Sequence, residues 1–177
     1  GLTTVPSIGI DSGLIIGSGD IIIAPGPNFS PSNGNDNGLG GDVDLSSIVT
    51  PNQTFNAAVL EFDFVTYADT VKFDFVFASE EYPEYTCCTV NDVFGFFISG
   101  PGILGPYTNS AANIALITSS TTPIQINTVN GPCQLVSYCD ASSPCCGGFP
   151  QYYVDNSGWT NPPTNLSATS VEYDGFT

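Results

Sequence analysis

Hydrophobic and polar residues alternate with a period of two in "AAVLEFDFVTY" and again in "TVKFDFVFAS". In the first, Val59, Glu61, Asp63 and Val65 share one side, and Leu60, Phe62 and Phe64 the other. In the second, Val71, Phe73, Phe75 and Phe77 line one side, with Lys72 and Asp74 opposite. A period of two is the mark of a strand with one buried face. "YADT" between the two runs reads as a hairpin turn. The pattern predicts central strands over 59–65, 71–78 and 93–98. It places Phe62, Phe64, Phe73, Phe75, Phe96 and Ile98 in the core.

Further apolar runs follow the same logic. "SGLIIGSGDIIIAPGP" predicts one or two strands around Ile15 and Ile22. "ANIALITS", "TPIQINTV", "QYYVDN" and "SVEYDGFT" predict more. "FSPSNGNDNGLGGDVDL" reads as a long polar loop, and residues 130–150 as a Cys-rich loop insert. No stretch shows the period of an amphipathic helix, and Gly and Pro punctuate the chain at short intervals. The expected fold is all-β, a two-sheet antiparallel sandwich or jelly roll. It forms a single domain over residues 1–177, opened by an extended segment over 1–11.

Composition narrows the function. Of the 177 residues, 17 are acidic and one is basic, for a formal net charge of −16. Such a surface repels nucleic-acid phosphate and anionic membranes. No apolar run is long enough to span a bilayer as a helix, so neither nucleic acid nor membrane insertion is an expected partner. Hydrophobic residues make up 41% of the chain, so the charge does not signal disorder. Six cysteines in a chain without His or Met point to an oxidising compartment and to disulfides. Cys87, Cys88, Cys133, Cys139, Cys145 and Cys146 lack the paired spacing of a zinc site. All six are expected to be oxidised, with the insert tied back to Cys87 and Cys88 by at least one bridge. The connectivity stays open. Asn28, Asn52 and Asn165 begin N-glycosylation sequons.

"FVFASEEYPEY" gathers three carboxylates with no cation beyond Lys72. Glu80 and Glu81 are adjacent, so in a strand they face opposite ways, and an acid–base pair would need Glu84 or Asp92. With no His and no nucleophile motif, catalysis is not expected. Oxygen ligation of a hard cation suits the acids better. The expected calcium ligands are Glu80, Glu81 and Asp92, with Asp42 or Asp44 near enough to contribute. A solvated loop, its acids capping backbone donors, is the plainer reading. Asn33, Asn35, Asn37, Gly38 and Asp44 match the spacing of a calcium loop, though plain coil accounts for them as well. Tyr82, Tyr85, Tyr107 and Trp159 are candidate ligand or interface aromatics, because exposed rings beside Asn and Asp suit both sugars and proteins. Lys72 shares a face with Asp74, as a Lys–Asn crosslink would require. Its place opposite the Phe row makes it a solvated or salt-bridged lysine.

"GLIIGSGD", "GDVDL", "AAVLEFDF", "FVFASEEYPEY", "NDVFGFFISGPG", "GPYTNSAANIAL" and "EYDGFT" occur in this order. From about Ser12 to Thr177 the chain resembles the choice-of-anchor L domain of secreted bacterial surface proteins, common among Bacteroidetes. The resemblance implies export and surface display, and it implies no catalytic residues. The chain departs from the pattern in the Cys-rich insert, in its late start, and in stopping at "DGFT", where the family continues into another strand. The expected function is an extracellular structural or adhesive surface domain. It would self-assemble into filaments by strand addition, with residues 1–11 as donor. A carbohydrate-binding module that takes glycans as partners is the alternative.

Overall fold

The computed structural model describes residues 8–28, 30, 32–83, 85–131, 148–156 and 171–177. Its regular structure is antiparallel β with little helix. β1 (Ala78–Ser79), β7 (Gly175–Phe176) and β6 (Val154–Asp155) form a three-stranded sheet with β7 in the centre. β2 (Val93–Phe94) pairs with β5 (Ile124–Gln125), and β3 (Phe97–Ile98) pairs with β4 (Ala112–Asn113). Reciprocal bonds between Phe77 and Thr177 extend the β1–β7 ladder by one residue. The chain's final residues therefore lie at the middle of a sheet, paired on both sides.

The core lies around β5. Ala115, Ile117, Ile124 and Val129 are buried together, and Phe77, Phe94, Phe96, Phe149 and Tyr153 pack around them. The stretch expected as one strand over 93–98 is instead two, broken at Gly95. A Cβ there would stand 2.6 Å from the Phe97 ring and 2.9 Å from Leu45, so any larger residue would displace those side chains. Past the break, the Asn113 side-chain oxygen accepts from the Phe96 amide at 3.0 Å, in place of a ladder bond. Phe96 and Ile98 are half-buried.

Three expectations are corrected. First, residues 59–65 and 71–76 form no strand, and of the second run only Phe77 and β1 pair, both with the end of the chain. Among the described residues, none from 58 to 76 makes a backbone hydrogen bond. Phe62, Phe64, Phe73 and Phe75 are 51%, 45%, 40% and 38% exposed instead of core. The physical reason is the missing partner strand. Alternation sorts side chains to two faces, but a face is buried only when something lies on it. Phe73 and Phe75 lean on Phe96 and Phe94, with ring centroids 4.5 and 4.8 Å apart, while Phe62 and Phe64 meet each other.

Second, a helix is present: α1, Val43–Ile48. Asp42 caps it, accepting from the Asp44 and Leu45 amides. Six residues are too few to show a helical period, so the cap was the one signal available. Third, "GLIIGSGDIII" yields no strand but a short 3-10 helix, Ile21–Ile23, capped by Asp20. Leu14 and Ile22 stay 73% and 80% exposed.

Candidate functional site

Ser79 ends β1 and begins the acidic turn. Its hydroxyl donates to Asp92 Oδ2 at 2.6 Å and accepts from the Glu81 amide at 2.9 Å. One serine thus holds Glu81 and Asp92 side by side. Tyr82 fastens the turn from below. It is fully buried, its hydroxyl donates to the Val129 carbonyl, and its ring lies 4.9 Å from that of Tyr153. The segment after the turn is laced to β5: Asn91 bonds Gln125, the Ile126 amide donates to the Asp92 carbonyl at 3.0 Å, and the Cys87 amide donates to Asn127 Oδ1.

Crowding sets the charge state of these acids. Burial pushes the Glu81 carboxyl up, and the neighbouring Asp92 charge pushes it further. Asp92 keeps a solvent-facing side, yet the protein atoms around its carboxyl strip enough water to raise it, against the bond from Ser79. Glu80 turns elsewhere. Both its carboxylate oxygens are buried, and its charge adds to the burial that raises the Tyr173 phenol. Glu80 and Glu81 line an open pocket of about 300 Å³ with Ser32, Gly34, Tyr85 and Val90.

A second polar cluster lies near β7 and was not read from the sequence. Asn28, Asn156, Glu172 and Asp174 are all buried. Asn28 Nδ2 donates to Asp174 Oδ1 at 2.6 Å and to the Asn156 carbonyl at 3.0 Å. Asn156 Nδ2 reaches the Tyr173 and Val171 carbonyls, and Asn33 donates to Glu172 Oε1 at 3.3 Å. "SVEYDGFT" reads only as a strand, with no sign of what its acids meet. The amides that bury them come from residues far away in the chain, so no local signal marks the cluster.

The structure therefore brings together Glu81 and Asp92, with Glu80 nearby in the pocket wall. Asp42 and Asp44 are occupied elsewhere. Asp42 caps α1, and Asp44 accepts from the Thr108 amide and hydroxyl. Among the described residues, no group of three or more His, Cys, Asp or Glu is placed to hold a metal ion. The amides of the supposed calcium loop point to separate partners: Asn33 to Glu172, Asn35 to Asn37, and Asn37 to the Ser18 carbonyl. Glu84 and Trp159 lie outside the described residues.

Two further expectations are corrected. Tyr82 is no exposed ligand aromatic, because it is a buried strut of the turn. Asn28 is no glycan acceptor in the folded chain, because its amide is buried and engaged. Asn52 is exposed, and Asn165 lies outside the described residues. Tyr107 is half-buried against Phe97, and Tyr85 half-buried at the pocket. Neither Cys87 nor Cys88 is a free thiol. Cys133, Cys139, Cys145 and Cys146 lie outside the described residues. No described helix is long and apolar enough to cross a membrane.

No curated protein and no solved structure matches the chain. The profile of the choice-of-anchor L domain matches residues 3–177. That match bears out the resemblance read from the sequence blocks and makes this a surface-associated extracellular domain. The chain belongs to the choice-of-anchor L domain family.

Proposed function

We propose that this domain is a non-catalytic structural and adhesive module that associates with copies of itself at the cell surface. The observation that carries the reading is the segment from 58 to 76, a hairpin only by its sequence pattern. Its backbone makes no hydrogen bonds, and Val59, Phe62, Val65 and Tyr67 are 69%, 51%, 81% and 102% exposed. An extended, unpaired apolar segment is a template for strand addition. In our reading the segment over 1–11 of a neighbouring copy is the donor. A contact of that kind is heterologous and propagates into a filament unless it closes into a ring. A bridge from the Cys-rich insert to Cys87 or Cys88 would brace each copy from within.

Electron microscopy of the purified chain tests the filament. Elongated polymers that vanish when residues 1–10 are deleted are the expected result. Particles of single-copy size before and after the deletion would refute it. Calcium belongs to the same proposal. Glu81 and Asp92 repel one another, and a cation between them would offset that repulsion. The thermal midpoint should then rise with millimolar calcium and fall back with chelator. An unchanged midpoint leaves the acids to the hydrogen bonds already described.

A further inference from the structure

Strand addition by residues 1–11 gives each copy one donor and one acceptor contact, which is one kind of interface. We propose that residues 71–75, a limb in the sense of the sequence pattern, form another on association: an antiparallel pairing with the same limb of a second copy, with Phe73 on the two-fold axis. The inference rests on the self-association proposed above and names its surface.

Charge selects this limb and this register. Lys72 is the only basic residue of the chain. It lies on the same face as Asp74, and both are exposed. In an antiparallel pair centred on Phe73, each residue faces the one equally far beyond the centre. Lys72 of each copy then faces Asp74 of the other, so the ion pair forms twice. Val71 faces Phe75 of the second copy, also twice, and Phe73 faces Phe73. Opposite charges and aromatic or β-branched residues are favourable partners directly across a ladder. The other limb lacks this property. Residues 59–65 carry Glu61 and Asp63 and no cation, and pairing them about Phe62 would set Glu61 against Asp63. Like charges directly opposite are destabilising.

The local structure leaves room for the contact. Phe73 and Phe75 rest on Phe96 and Phe94, which fixes the inner face of the limb. The backbone groups of residues 71–75 make no hydrogen bond. A second copy can add there without displacing either ring from its partner. The result is an isologous contact in which the same residues serve both sides. It also gives the chain's single basic side chain an ion-pair partner.

Light scattering coupled to size exclusion, on the full chain with residues 1–10 deleted to silence strand addition, tests the interface. A dimer is expected. K72D sets Asp against Asp, and D74K sets Lys against Lys. Each should weaken the dimer by about tenfold or more. The double variant K72D/D74K restores opposite charges in the same register, and should restore the dimer. That rescue separates the interface from misfolding, and circular dichroism on all four proteins checks the fold. A dimer indifferent to K72D, or a double variant that stays monomeric, overturns the interface while leaving self-association intact. A deleted protein that is monomeric also overturns it.

Discussion

The acidic turn at 79–83 and the segment at 58–76, a hairpin by sequence pattern alone, are close neighbours in sequence and opposites in packing. The turn is short, polar and charged, yet it is held from every side. Ser79 ties Asp92 to the Glu81 amide, Tyr82 is fully buried, and β1 pairs with β7. The hairpin has the cleaner alternation and the larger rings, yet its side chains face solvent and its backbone is unpaired. The contrast teaches that hydrophobic content does not by itself decide burial. Burial follows from what the rest of the chain lays against a segment. The turn has β7 and Tyr153 for neighbours, whereas the hairpin has Phe94 and Phe96 under one limb and no ladder partner.

The largest effect should come from crowding the well-held side. Gly175 in β7 faces Tyr82 and Tyr153, and a Cβ there would lie 2.8 Å from Tyr82 and 2.7 Å from the Tyr153 ring. Gly175→Val should cost about 3 kcal/mol in chemical denaturation, the upper range for overpacking a tight site. Next is Tyr82→Phe, which leaves the buried Val129 carbonyl without its donor. The expected loss is about 1–2 kcal/mol by the same measurement. A cost near zero would mean that the turn is held by ring packing alone.

The acids give a smaller, pH-dependent effect. Folding raises the carboxyls of Glu81 and Asp92 above their ordinary values of 4.5 and 3.8. Groups raised in this way hold their protons more tightly folded than unfolded. Their effect on stability is therefore least harmful below those values, and stability falls as pH rises through the raised ones. Asp92→Asn keeps an acceptor for Ser79 and removes the charge. Its thermal midpoint should change less across mildly acidic pH than the wild type's, and should equal or exceed it at neutral pH. A steeper profile would show that the carboxylate form is the one the fold prefers. The smallest effect is expected in the hairpin. Tyr67→Ser removes a ring that touches nothing, and should stay within about 0.5 kcal/mol. A larger loss in the isolated chain would mean that the hairpin is packed after all, and would erase the contrast.

Much of the chemistry was legible along the chain, because it depends on kind and order of residues. The charge, the cysteines, the β character and the sequence blocks that place the chain in its family need no tertiary contact to be read. The apolar runs at 93–98, 112–119 and 122–129 were legible too, and each holds a short strand, whereas the strand expected over 59–65 is absent and the one over 71–78 is reduced to its end. The lengths of those strands, and which apolar face is covered, were decided by the tertiary structure. Ladder bonds need a second strand at hydrogen-bonding distance, and that partner comes from residues remote in sequence, as Phe176 does for Ala78. The same reason hides the buried cluster of Asn28, Asn156, Glu172 and Asp174. Water and an amide look alike to a carboxylate in a sequence, and only the fold shows which of them is there.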